Sequence, residues 1–60
     1  MKELDVVRLK SDFQGITAGT EGTILLEYDG TAFEVEFFDK DGETTEVVTT
    51  HVDVIELTSE

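Results

Sequence analysis

The chain has no cysteine and no proline, and only four lysines and arginines among its 60 residues. Each absence excludes something. Without cysteine there is neither a disulfide nor a thiolate metal ligand, so a single domain spanning residues 1–60 has to be held together by its apolar side chains, an arrangement that suits a reducing compartment. A domain this small buries only roughly 60% of the surface its unfolded chain exposes, so its stability is marginal. The lack of proline leaves every candidate strand free to occupy the middle of a sheet. No apolar run approaches the ~20 residues of a membrane span, and Met1-Lys2-Glu3-Leu4-Asp5 carries charge where a signal peptide needs a hydrophobic stretch. A soluble, cytoplasmic protein is expected.

The scarcity of cations is set against 15 aspartates and glutamates, giving a formal net charge of −11. Such a surface repels phosphate backbones and anionic lipid head groups, so neither nucleic acid nor membrane is expected as a partner. Basic proteins are. A high charge can accompany disorder, but the 38% hydrophobic content falls into clear strand periods, and the chain is expected to fold.

Asp5-Val6-Val7-Arg8-Leu9 alternates with Val7 and Leu9 on one face, as a half-buried first strand does. Ser11 to Gly22 reads as a long open loop anchored by Phe13 and Ile16. Thr23 to Tyr28 is rich in β-branched and apolar residues, with Ile24, Leu26 and Tyr28 in phase toward the core, and Asp29-Gly30 supplies the left-handed residues of a tight hairpin. The cleanest alternation is Ala32 to Phe37: Phe33, Val35 and Phe37 inward, Glu34 and Glu36 outward. Asp39-Lys40-Asp41-Gly42 is turn chemistry, and Glu43 to Thr50 follows as an antiparallel strand with Val47 as its core residue. His51-Val52-Asp53 is read as one 3-10 turn, Val54 to Leu57 as a short last strand, and Thr58 to Glu60 as a frayed end. Five short strands with tight hairpins and no ten-residue helical pattern predict an all-β, five-stranded antiparallel barrel of the SH3-like kind, since closure removes exposed edges. A monomer or weak homodimer, swapped or edge-paired, is expected.

Chemical motifs are sparse. Gly19 and Gly22 are three apart, where a phosphate-binding loop needs four intervening residues followed by lysine, so they are read as a bend or bulge entering the second strand. Asp39, Asp41, Gly42 and Glu43 lack the twelve-residue spacing of a calcium loop. His51 is the sole imidazole, with Asp53 its one near acidic neighbour, too little for a metal site or an acid-base pair. No catalytic residue, metal or cofactor is expected, and the protein is read as a non-enzyme. What remains is a surface. Glu34 and Glu36, with Glu27 on the preceding strand and Glu43 and Glu46 on the following one, are candidates for an acidic patch that a basic partner would relieve. Leu25, Phe38 and Val48 fall out of phase with the core and are candidates for an apolar spot inside that acidic rim.

Five pieces of the chain, D-V-V-R-L (Asp5 to Leu9), A-G-T-E-G-T-I (Ala18 to Ile24), Y-D-G (Tyr28 to Gly30), F-E-V-E-F (Phe33 to Phe37) and D-G-E-T (Asp41 to Thr44), resemble a family of small uncharacterised bacterial domains with an SH3-like barrel. The resemblance covers the first four strands, while His51 to Glu60 matches only loosely. The opening D-x-V-x-L followed by G-x-x-G-x-I is similar, at greater distance, to KOW-type barrels that bind nucleic acid. The family resemblance implies a role beside a second small protein of toxin or nuclease type, hence a neutralising (antitoxin- or immunity-like) or accessory module. The distant resemblance implies nucleic-acid association, and an acidic surface that mimics DNA is a third reading.

Carboxylates crowded on a small body repel one another, and salt screens that repulsion within a Debye length of about 10 Å at 0.1 M. The melting temperature is expected to rise as sodium chloride is raised from about 0.02 to about 0.3 M. Thermal unfolding followed by circular dichroism checks this, and a midpoint indifferent to salt would contradict it.

Overall fold

The computed structural model describes residues 1–58. It contains five strands and one 3-10 turn: β1 Val6–Leu9, β2 Glu21–Glu27, β3 Ala32–Phe38, β4 Thr44–His51, the turn Val52–Val54, and β5 Ile55–Leu57. All pairings are antiparallel in one sheet of order β4-β3-β2-β1-β5, the strand order of an SH3-like barrel. The two ends of that order, β4 and β5, are joined by only the three residues of the 3-10 turn. A flat five-stranded sheet would hold its outer strands about 19 Å apart, whereas three residues of 3-10 helix rise about 6 Å. The sheet therefore has to curl until its ends approach, but β4 and β5 do not pair, so curling leaves both outer edges without a ladder partner instead of removing them.

Curling encloses the side chains of one face. Val7 and Leu9 of β1, Ile24 of β2, Phe33, Val35 and Phe37 of β3 and Ile55 of β5 are buried in one cluster, with Ile16 from the first loop. The inward alternation read for the first and third strands is observed. Thr50 is also buried, and its hydroxyl donates to the Val48 carbonyl at 3.1 Å.

The first loop is better built than an open loop. Phe13 and Ile16 exchange backbone hydrogen bonds of 2.9 Å in both directions, and Gln14 and Gly15 between them both have positive φ. This is a two-residue hairpin of the mirror-image turn type, carried by Gln-Gly instead of the usual Asn-Gly. The loop's far end is tied back by Gly19 N–H to Leu9 O and Leu9 N–H to Thr20 O, both 2.9 Å. In the β2–β3 hairpin only Gly30, at φ 89°, is left-handed and Asp29 is not, because Tyr28 N–H bonds to Ala32 O around a three-residue loop; the β3–β4 hairpin follows its composition. Asp39 Oδ1 accepts from the amides of Asp41 and Glu43, and Gly42 takes φ 86° to close a three-residue loop.

Three expectations are corrected. Leu26 and Tyr28 are exposed, at 44% and 54%, because the β2–β3 register slips between Ile24↔Val35 and Leu26↔Glu34; Leu25 is the extra residue of a bulge that turns everything after it to the opposite face. On β4 the inward valine is Val48, which lies opposite buried Val35 and packs on the core, while Val47 lies opposite Glu36 and is 49% exposed. Thr44 to Thr50 has no alternation of its own, so only pairing with β3 sets its parity. Thr58 is not frayed: its amide and hydroxyl both donate to Val6 O. Ser59 and Glu60 lie outside the described residues.

The two glycines that open β2 do different work. Gly19 makes the bend, with φ 93°, whereas Gly22 has no left-handed backbone and sits within the strand. A Cβ on Gly22 would stand 2.7 Å from Val35 Cγ1 and 2.9 Å from Glu36 O, so that position lacks a side chain because β3 crosses too close. Gly22→Val is expected to cost about 3 kcal/mol or more by overpacking, and Gly19→Ala, with open space around it, about 1 kcal/mol of backbone strain. Chemical denaturation of the two variants checks the order; equal losses would contradict it.

Candidate functional site

The outer face of β3 carries two carboxylates that no cation among the described residues compensates. On β3, Glu34 and Glu36 point away from the core between residues of both neighbouring strands: Glu34 lies opposite Leu26 and Thr49, and Glu36 opposite Thr23 and Val47. Their partners are hydroxyls. Tyr28 Oη and Thr49 Oγ1 donate to the same oxygen of Glu34, at 3.0 and 2.9 Å, and Thr44 Oγ1 donates to Glu36 Oε2 at 2.6 Å. These bonds hold the carboxylates in place without neutralising them. Among the described residues the ion pairs are Lys2–Asp5, Arg8–Glu56 and His51–Asp53, and no cation reaches Glu34 or Glu36.

The other candidate acids do not join this pair. Glu27 lies opposite buried Phe33 and Glu46 opposite buried Phe37, so both have the register of inward residues and emerge at the ends of the barrel instead of on its outer face. Glu43 belongs to the β3–β4 turn, its amide bound to Asp39. Of the apolar candidates, Leu25 stands at the bulge, 41% exposed; Phe38 is half-buried; and Val48, also half-buried, is turned inward against the core and away from the outer face. The bulge adds Leu26 and Tyr28, which periodicity places in the core. Leu25, Leu26 and Tyr28 form an exposed apolar run beside Glu34. A β-bulge leaves no mark in the alternation, so the sequence carries a signal for Leu25, which is out of phase with the core, but none for Leu26 and Tyr28.

Phe38 forms a wall of two clefts between the first loop and the β3–β4 turn. The larger, about 570 Å³, is lined by Ala18, Gly19, Thr20, Glu21, Asp39 and Lys40; the smaller, about 240 Å³, reaches Ile16 and Glu46. Both open widely to solvent, so their carboxylates stay hydrated. Among the described residues, no three of histidine, aspartate or glutamate converge as metal ligands. Of the two glycines before β2, Gly19 borders the larger cleft, with Glu21 also in its lining.

A family model described as Domain of unknown function (DUF4926) matches residues 3–57, nearly the whole chain. The chain belongs to the DUF4926 family. That is the uncharacterised small-domain membership its motifs indicated, and it extends to β5, where the motifs matched only loosely. No curated protein and no solved structure matches this DUF4926 domain.

Hydrogen bonding shifts three groups of the DUF4926 domain. The bond donated to Glu34 holds the Tyr28 phenol above its ordinary value, helped by partial burial and the carboxylate's charge. The Thr31 hydroxyl and then its amide lower Asp29, and the Lys2 amide followed by its ammonium lowers Asp5. For a raised tyrosine, the stabilisation is present below pH 10 and lost as pH climbs through the folded pKa; for the depressed aspartates it is present above about pH 4 and lost on acidification through their folded pKa. Ultraviolet titration is expected to place Tyr28 above 10, and Glu34→Gln to bring it down toward the ordinary value. An unchanged titration in the variant would contradict the bond.

Proposed function

We propose that this protein is a cytoplasmic, non-enzymatic protein-interaction module whose outer sheet face receives a basic partner, as a neutralising or accessory subunit would. One observation carries the reading: Glu34 and Glu36 are fixed by Tyr28, Thr49 and Thr44 hydroxyls while no cation among the described residues pairs with them. Like charges on one strand face cost stability, and hydroxyl donors order the carboxylates without discharging them. A cationic side chain arriving from a partner meets acceptors already in position, which lowers the ordering cost of association, and the field of a −11 chain speeds its approach.

Nucleic-acid binding of the KOW-like kind is disfavoured by the same charges. Of the four cations, Lys2 and Arg8 are engaged with Asp5 and Glu56, leaving Lys10 and Lys40 for phosphate contacts. DNA mimicry is the variant in which the basic partner is itself a DNA-binding protein, and it shows as competition with DNA.

Affinity capture from a lysate of the source cells, at about 0.05 and about 0.5 M salt, tests the module. The expected result is a basic protein retained at low salt, released at high salt, and lost from a variant carrying Glu34→Gln and Glu36→Gln. Retention by that variant, or a partner insensitive to salt, would overturn the acidic-face reading.

A further inference from the structure

Strand β4 is the longest strand, and it ends the sheet. β3 is the one strand it pairs with, and among the described residues no other element offers a backbone hydrogen bond to Thr44–His51. Sheet edges of this kind are normally blunted by shortness, proline, lysine or bulges. The opposite edge, β5, is three residues long. β4 has eight, with neither proline nor lysine nor arginine, one carboxylate at Glu46, and a register shift confined to its start at Phe37/Phe38. Glu46, in the register of an inward residue, blunts the start of that edge, and the ladder from Val47 to His51 stays free over about 16 Å.

Charge chooses between the occupants such an edge could take. A second copy would bring −11 against −11. A cationic strand meets the reverse. On the outer face Val47 and Thr49 sit at the edge, directly opposite Glu36 and Glu34 one strand further in. A strand added beside β4 lies about 10 Å from β3, two strand spacings. A lysine or arginine on its outer face spans that gap by laying its alkyl stem over exposed Val47 and Thr49, with the charged head at the carboxylates. We propose that the free edge of β4 docks an extended, lysine- or arginine-bearing segment of another protein, which joins the sheet as a sixth strand. This rests on the reading of the protein as an acidic module for a basic partner, and it specifies how that partner is held: backbone pairing for affinity, carboxylates for specificity.

The probe is a synthetic ten-residue peptide, Thr-Lys-Val-Lys-Val-Lys-Val-Lys-Val-Thr, compared with the same peptide carrying N-methylated valines. The two have equal charge and side chains but differ in ladder donors. Titration followed by amide resonances is expected to show the unmethylated peptide binding about tenfold or more tightly, with slowed hydrogen exchange at β4 amides. Equal binding by both peptides, with shifts at Glu34 and Glu36 but no protection along β4, overturns strand addition and leaves the acidic module standing. Binding by neither also overturns it; a salt-sensitive partner captured from lysate would then contact another part of the surface.

Discussion

A single five-stranded sheet has no second layer to cover its apolar face, so Val7, Leu9, Ile24, Phe33, Val35, Phe37 and Ile55 leave water only if the sheet curls until they meet one another. That requirement explains features that look unrelated along the chain. The three-residue 3-10 turn brings the ends of the strand order together. The bulge at Leu25 adds local bend and twist to β2, the strand that passes from pairing with β1 to the hairpin with β3. Gly22 lets β3 pass within van der Waals distance of the β2 backbone, where any side chain would hold the strands apart.

Closure also sorts the charges. Once the inner face is filled, the outward positions of β3, an interior strand, hold Glu34 and Glu36 half-exposed on the side away from buried Phe33, Val35 and Phe37. Flanking threonines on β4 and Tyr28 beyond the bulge then supply the hydroxyls that orient them. A bulge that serves closure thus also carries Tyr28 to the carboxylate face. Fold and candidate site share one irregularity.

Much of this was legible beforehand. The alternation in Ala32 to Phe37, the glycines at the hairpins and the punctuation of the first loop gave the strand count and both tight turns, because side-chain period and left-handed backbone are local properties. The acidic candidates were legible only in part. Glu34 and Glu36 share a face by period alone, while strand proximity groups Glu27 and Glu46 with them although their register gives the other parity.

The amino-acid sequence by itself determined an all-β chain of five short strands, a strongly acidic surface and the inward residues of β1 and β3, since each follows from local alternation, turn chemistry or composition. Tertiary structure alone decided that Leu26 and Tyr28 face water, that Val48 and not Val47 faces the core, and that Gly22 is required for a close crossing and not for a bend. The physical reason is common to all three. Register between strands is a long-range property, and one extra residue in one strand reverses every side chain that follows it.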